Sequence, residues 1–504
     1  MRYGFVIDQT RCIGCHACTV ACKEENGVPL GAFRTWVKYV EKGEFPHTRR
    51  HFAVLRCNHC DVAPCVTICP TIALYRRADG IVDFDPSRCI GCKSCMQACP
   101  YDALYIDPDT HTAAKCHFCA HRVEKGLEPA CVIVCPERAI LAGDLDDPAS
   151  EVSRVIAREQ VSVRKPEQGT RPKLFYVGAD AAALTPQLQQ PADAHLWGQR
   201  LDGAPSLASM LGETAPRSST PRPVEALGRT VYDVPHAARP WGWRVSTYLW
   251  TKAIAAGAGL VAGMGALFGW TATAGSALPV VAVGFLLLTT VLLIADLKRP
   301  DRFHYIVLKP NPGSWLVLGA WILMAYGIVT GLWLLAIVTG RLGALPLLTA
   351  PLIGLALATA GYSACLFAQA EGRDFWQSPL LLPQLLVGAL TAGTAAALLS
   401  HGASPLLRGL LLLSLGTSLL FVLAERFTPH PNLDAEMAAR LITEGPWRAA
   451  FWGGVVVGGT LLPAGLLLIS ASSLTAGLAS LLALGGLYLW EDLWVKAGQT
   501  PPLS

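Results

Sequence analysis

Sixteen of the seventeen cysteines in this 504-residue chain fall within its first 135 residues, in four groups of four. The groups are Cys12, Cys15, Cys18 and Cys22; Cys57, Cys60, Cys65 and Cys69; Cys89, Cys92, Cys95 and Cys99; and Cys116, Cys119, Cys131 and Cys135. The first and third read C-x2-C-x2-C-x3-C, a spacing that wraps three thiolates around one face of an iron–sulfur cube and sends the fourth to a neighbouring cube. Proline follows Cys69, Cys99 and Cys135 and turns the chain away after the remote ligand, whereas Lys23 follows Cys22. A disulfide scaffold would suit a small secreted domain in an oxidising compartment, which this chain is not. Structural zinc also binds C-x2-C pairs, but sixteen thiolates in ferredoxin-like order point to [4Fe–4S] clusters and electron transfer.

Beyond the cysteines the composition is too apolar for an ordinary soluble protein, with 52% hydrophobic and 15% charged residues. A formal charge of +4 over this length suggests no nucleic-acid partner. The start, MRYGFVIDQTRCIGC, shows neither an apolar h-region nor twin arginines, so no export signal is expected.

Three regions follow. Residues 1–180 mix polar and apolar segments, and their cysteines are punctuated by two hairpin patterns, Ala73 to Asp85 around Asp79-Gly80 and Tyr105 to Lys115. Group, hairpin, group, hairpin is an internal repeat. Residues 181–240, rich in Ala, Pro, Ser and Arg, are expected to be a poorly ordered linker. Residues 241–504 hold eight runs near the ~20 residues needed to cross a bilayer: about 248–270, 278–296, 315–338, 345–369, 380–400, 406–424, 449–470 and 474–491. A soluble helical bundle would need polar faces at helical period, and Val280 to Ala295 has none. The expected fold is an α+β ferredoxin-like double module followed by an all-α eight-helix transmembrane bundle.

Lys and Arg gather at one end of that bundle. Arg239, Arg244, Lys298, Arg299, Arg302, Lys309, Arg373, Arg426, Arg440, Arg448 and Lys496 lie there, against Arg341 and Arg408 at the other. The positive-inside rule makes the rich end cytoplasmic and places the cysteine-rich domain on it.

The segments CIGCHACTVACKEENGVP, CNHCDVAPCVTICP, CIGCKSCMQACP and KCHFCAHRVEKGLEPACVIVCP resemble the four-cluster subunits that serve molybdopterin oxidoreductases such as polysulfide, thiosulfate and dimethyl-sulfoxide reductases and formate dehydrogenases. The resemblance covers residues 1 to about 175 and implies cross-pairing of the groups. Cys12, Cys15, Cys18 and Cys135 would hold one cluster, and Cys22, Cys116, Cys119 and Cys131 its neighbour. Cys57, Cys60, Cys65 and Cys99 would hold a third, and Cys69, Cys89, Cys92 and Cys95 the last. Spacing alone leaves sequential pairing open. His16, His59 and His117 lie inside the groups but are not needed as ligands, and Cys365, alone in the fourth span, is expected to be a small apolar residue.

In the membrane region a haem would need axial histidines deep in the spans. Past residue 240 only His304, His401 and His430 occur, all in connections, so no haem is expected and quinone becomes the electron carrier. The connections Asp296 to Trp315, Gly372 to Pro379 and Ala424 to Asn432, with the tail Val495 to Gln499, resemble the eight-span NrfD-type membrane subunits of the polysulfide-reductase family. That resemblance implies a quinone pocket near the cluster-side surface, for which Asp296, Arg302, His304 and Tyr305 are the candidates; charged residues at helix ends also serve simply as headgroup anchors. Trp241, Trp243 and Trp250 are expected in an interfacial belt. The expected function is an electron-transfer and quinone-reactive subunit whose substrate chemistry resides on a molybdopterin-type partner. The alternative is a redox-driven ion-translocating module. It would need ionisable groups within the bilayer, and Asp296, Glu371, Glu425, Glu491 and Asp492 are all expected at span ends.

Overall fold

The structure, a computed structural model, describes residues 1–504 except 44–45, 192–227, 237–238, 271–272, 274, 276 and 403. Its strands, in chain order, are β1 (Tyr3–Asp8), β2 (Thr35–Lys42), β3 (Arg49–Arg56), β4 (Leu74–Arg76), β5 (Val82–Phe84), β6 (Leu104–Ile106), β7 (Ala113–Lys115), β8 (Ile140–Asp144), β9 (Val161–Ser162), β10 (Leu174–Val177), β11 (Gln189–Pro191) and β12 (Gly228–Tyr232). They form two four-stranded sheets, β8-β1-β10-β9 and β11-β12-β2-β3, and two hairpins, β4-β5 and β6-β7. β1 lies between neighbours on both edges, and Phe5, Val6 and Ile7 are all buried, as a short apolar run in a central strand should be. The β4-β5 turn is held by the Asp79 carboxylate, which accepts from the Ile81 amide at 3.1 Å, and by Gly80 at φ +78°.

The internal repeat is visible in the backbone. Gly14 and Gly91 take φ of +71° and +69°, and His16 and Lys93, each just after the second cysteine of its group, take +60° and +64°. Helices Ala17–Asn26 and Ser94–Ala98 start directly afterwards. Two left-handed residues bend the loop so that successive thiols face inward; only glycine does this without strain at the first position.

The expected linker differs. Residues 181–184 are helical, and β11 and β12 complete the second sheet, with β12 antiparallel to β2. A short strand that adds to an existing ladder owes its conformation to its partner rather than to its own composition. The central part of that expected linker lies outside the described residues.

Among the described residues, eight helices are long and apolar enough to cross a membrane: Trp243–Phe268, Ala277–Asp296, Trp315–Val338, Leu342–Ala368, Leu381–His401, Pro405–Phe427, Ala450–Ile469 and Ser473–Gly498. The first begins earlier and the last runs further than their hydropathy suggested. The two extensions pack on each other, Ser246 donating to Asp492 at 3.0 Å, so length is set by helix–helix contact as well as by lipid. The first span is the hub: 78% of its apolar window is buried, against 28% for the second. It crosses the fifth so closely that a Cβ on Gly257 would strike Ala389 and Gly393, the small-residue contact that lets helix backbones approach in lipid. Residues 450–461 of the seventh span are wound as a π-helix.

The cluster domain sits on the Lys- and Arg-rich end of the bundle. The amides of Lys298 and Arg299 donate to Gly91 and Ile90 carbonyls at 3.2 Å, and Asn311 and Ser314 side chains donate to the Cys69 and Ile68 carbonyls at 2.8 and 2.7 Å. Gly372 passes so close to the Cys99 carbonyl that no side chain would fit.

Candidate functional site

The fold brings the sixteen thiols together in mixed sets. One hollow is lined by Cys12, Cys15, Cys18 and Cys135; a second by Cys22, Cys116, Cys119 and Cys131; a third by Cys69, Cys89, Cys92 and Cys95. The remaining four also gather, since Cys60 and Cys65 each feel the charges of Cys57 and Cys99. Each set therefore combines cysteines from two groups distant in sequence, as in the sets that the resemblance implies. Among the described residues no three His, Cys, Asp or Glu side chains close on a point that a single ion could fill. The thiols stand around hollows instead, which suits a cube with iron at its corners. Burial pushes the Cys18, Cys92 and Cys116 thiols up to about 12 and Cys99 to about 11, and a bound cation would offset that cost. Amides point at the sulfurs: Gly91 and Ala113 donate to Cys89 at 3.4 and 3.3 Å, and Ala139 to Cys135 at 3.3 Å. Sulfur-only donors with converging N–H groups fit [4Fe–4S] cubes.

Arg56 is fully buried among these sets. Its Nη1 donates to Cys131 Sγ at 3.0 Å, its guanidinium lies 4.6 Å from the Phe5 ring centroid, and its Nε and Nη2 have no hydrogen-bond partner among the described residues. The neighbouring Cys131, Cys116 and Cys18 charges overcome the burial that would otherwise expel its proton, so Arg56 stays cationic. Of the histidines, His16 bonds the Tyr39 hydroxyl at 2.8 Å, His59 Nδ1 accepts from the Val82 amide at 3.2 Å, and burial lowers His117 to about 4.

The third hollow borders the membrane. Cys92 lines it and also lines a second, larger cavity of about 310 Å³ between the cluster domain and the first four spans. That cavity is mostly apolar, with Leu286, Leu293 and Met324 among its walls, and its polar groups are Ser94, Trp241, Tyr248, Thr290, Asp296 and Tyr362. Trp241 donates from Nε1 to the Cys92 carbonyl at 3.1 Å and stacks on Trp376 at 5.4 Å. Asp296 pairs with Lys93 at 2.8 Å.

The four membrane candidates thus separate. Asp296 lines the cavity. Arg302 docks the cluster domain, donating to the Pro86 and Cys89 carbonyls at 2.7 and 3.1 Å. His304 and Tyr305 contact each other edge-on at 4.8 Å, with Lys309 over the Tyr305 ring. Their neighbours Phe303, Ile306 and Val307 face the cavity; His304 and Tyr305 do not.

The aromatic belt also divides: Trp243 is exposed, whereas Trp241 is buried in the docking surface and Trp250 donates to the Leu484 carbonyl at 2.9 Å inside the bundle. Tyr248 and Tyr362 carry no sequence signal beyond being phenols in apolar runs. Lys252 does, as the one charge beyond the first turn of its span. It is an ionisable group within a span, additional to the five carboxylates expected at span ends. Lys252 is 1% exposed, and its Nζ donates to Ser363 Oγ at 2.7 Å and to the Ala360 carbonyl at 3.1 Å. A lysine at a span centre costs about 2.5–3.5 kcal/mol to insert, and hydrogen bonds to a charged group return roughly 1.5–3 kcal/mol each. Glu491, expected at a span end, is buried inside a helix that continues to Gly498.

Comparison with known proteins agrees with this division of the chain. Residues 234–499 match the family described as polysulphide reductase, NrfD; residues 49–145 match a 4Fe-4S dicluster domain and residues 9–26 a 4Fe-4S binding domain. Among curated relatives, a tetrathionate reductase subunit of Salmonella typhimurium is 48% identical over 200 residues, 39% of this chain and 80% of its own length. A polysulfide reductase polypeptide of Wolinella succinogenes is 43% identical over 181 residues, 35% of this chain and 94% of its own. The thiosulfate reductase electron transfer subunit of Salmonella typhi is 47% identical over 163 residues, 32% of this chain and 84% of its own.

Proposed function

The chain belongs to the polysulphide reductase NrfD family, and on that footing we propose that it is the electron-transfer and quinone-reactive membrane subunit of a molybdopterin-type oxidoreductase, facing the cytoplasm. Four [4Fe–4S] clusters, one per thiol set, supply one-electron steps between a partner's catalytic centre and the quinone pool. The observation that supports this reading best is Cys92, which lines both a thiol hollow and the 310 Å³ cavity. A carrier in that cavity would lie against the last cluster's own ligand.

The cavity's residues have separable tasks. Its aliphatic walls hold an apolar ring and isoprenoid tail and exclude water. The Tyr248 and Tyr362 phenols can donate to a quinone oxygen. Asp296, held by Lys93 at the cluster-side wall, can accept or return a proton. Trp241 fixes the spacing by clamping the Cys92 loop to the bundle.

The test is binding of a fluorescent alkyl-hydroxyquinoline quinone analogue to the anaerobically purified, cluster-loaded protein, followed by fluorescence quenching. Saturable quenching that is lost when Leu293→Trp fills the cavity, with unchanged cluster spectra, is the expected result. An unmodified protein that gives no quenching would defeat the quinone reading.

A further inference from the structure

A second polar compartment lies behind the quinone cavity, inside the bundle. It is a cavity of about 50 Å³ formed by the first span and the fourth to eighth, and Gln384, Thr391, Ser418, Thr460, Glu491 and Trp494 are among its polar lining. Four of the buried atoms on these residues lack a hydrogen-bond partner among the described residues: Glu491 Oε2, Gln384 Oε1 and Nε2, and Trp494 Nε1. Glu491 and Gln384 are 5% and 6% exposed. Leaving one such group unpaired costs roughly 1–3 kcal/mol, so several around one small space would be a heavy penalty in a dry cavity. A water needs about 10–15 Å³ and two to four polar partners. The compartment has room for a few waters and the groups to hold them. The π-helical turns of the seventh span contribute Val455, Gly459 and Thr460 to its wall; such winding releases main-chain groups from the regular α-helical ladder.

Two tyrosines, a serine and a lysine join this compartment to the quinone cavity. The first span separates the two spaces: Tyr248 faces the quinone cavity, Leu249 faces the compartment that Glu491 lines, and Lys252 lies one turn further along the same helix. Lys252 bonds Ser363 and lies 4.7 Å from the Tyr362 ring centroid. Tyr362, the residue before Ser363, and Tyr248, one turn before Lys252, both line the quinone cavity. Lys252 itself has only neutral hydrogen-bond partners among the described residues. A structural salt bridge would have brought the carboxylate to the ammonium; here a hydroxyl stands next to the lysine and the carboxyl faces water space.

We propose that Glu491 and Lys252 form an internal proton relay that serves the quinone cavity from a hydrated compartment within the bundle. The proposal rests on the quinone reading above. Reduction of a quinone to quinol takes two electrons, delivered by the clusters, and two protons. The Lys252 ammonium gives one proton through the Ser363 hydroxyl to a tyrosine hydroxyl and on to a quinone oxygen. The neutral amine is then recharged from the Glu491 carboxyl, and the carboxyl from compartment water. Asp296 delivers the other proton at the cluster-side wall. Quinol oxidation runs the same steps backwards.

The near-isosteric variants Lys252→Met and Glu491→Gln, in the assembled complex, test this. Quinone-coupled turnover should fall at least roughly tenfold, the low end of a lost proton-transfer step being about 10². Binding of the hydroxyquinoline analogue and turnover with a dye that takes electrons directly from the clusters should persist, which separates the relay from misfolding. In redox-difference infrared spectra, a carboxyl C=O signal present in the unmodified complex should vanish in Glu491→Gln and return, shifted, in Glu491→Asp. Full quinone turnover in both variants with normal analogue binding would overturn the relay alone. Failure of the unmodified complex to bind the analogue would remove the quinone reading and the relay with it.

Discussion

The cluster domain and the membrane bundle use buried polar chemistry in opposite ways. In the cluster domain the functional atoms are many and repeated, and each sits where its spacing in sequence places it: sixteen thiols in four groups, carried on twin loops with the same left-handed turns at Gly14 and His16 and at Gly91 and Lys93. In the bundle they are few and scattered across several helices, and packing alone pairs Lys252 with Ser363 and sets Gln384 and Glu491 around one space. Redundant ligands make a wire; sparse polar groups make a site. Losses should therefore be local in the first region and all-or-none for quinone chemistry in the second.

The largest effects belong to the thiols. Anaerobically purified protein should contain about sixteen irons per chain, four for each cube. Cys22→Ser and Cys135→Ser should each remove the signal of a different cluster in electron paramagnetic resonance, since the two residues line different hollows. Loss of the same cluster in both would break the crossed arrangement.

Next come the cavity residues. Asp296→Asn should cut quinone-coupled turnover roughly tenfold or more while dye-coupled activity holds. His304→Ala should leave both nearly unchanged. Arg302→Gln should weaken docking and lower both together, because its contacts are the Pro86 and Cys89 carbonyls. A His304→Ala variant as impaired as Asp296→Asn would move the site out of the cavity.

Arg56 should act more gently. A buried cation donating to Cys131 favours the cluster state with more negative charge, so it raises the reduction potential. Redox titration of Arg56→Gln should show one cluster midpoint shifted downward and the others little changed. A uniform shift of all four would mean that the domain had loosened.

The smallest effect concerns His236, which lies between Asp102 at 2.6 Å and Asp233 at 3.2 Å. Burial disfavours its charged form, but the two carboxylates overcome that and hold it up to about 9. A folded-state value above the unfolded one, about 6.5, contributes stability that is complete below about 6.5 and fades as pH rises through about 9. Because the imidazole is partly exposed, the effect is modest. The protection factors of β12 amides, with the intrinsic pH dependence of exchange divided out, should fall between neutral pH and about 9.5 in the natural protein and stay level in His236→Gln.

How much of this was legible depended on whether a residue's neighbours are set locally. The thiol groups, both hairpins and the eight spans were legible because their periodicity and spacing are local. β11 and β12 were not, since the ladder that makes them strands belongs to β2. Asp296 was recognisable as an acid at the cluster-side end of a span, but the same connection offered Arg302, His304 and Tyr305 equally well. Only the docked domain decides which side chains face the cavity and which hold the docking surface. Tyr248 and Tyr362 are indistinguishable in sequence from packing aromatics. Lys252 stood in plain view, as a charge well inside a span, and its cost in lipid was the signal that should have marked it.

The docking of the cluster domain on the bundle has a consequence for how such a machine can be encoded. The contacts that align Cys92 with the membrane cavity include hydrogen bonds at Lys298, Arg299, Arg302, Asn311 and Ser314, remote in sequence from the segment that joins the two parts, and that of Trp241, just beyond it, to the Cys92 carbonyl. The covalent connection then contributes effective concentration rather than geometry. It guarantees one wire per membrane module and speeds assembly without specifying the pose. A chain cut within residues 192–227 should still reassemble into the same active arrangement, at a rate that depends on how much of each half is made. Fusion and separation of the two halves are thus interchangeable gene architectures for one interface, differing in dosage control and not in electron transfer.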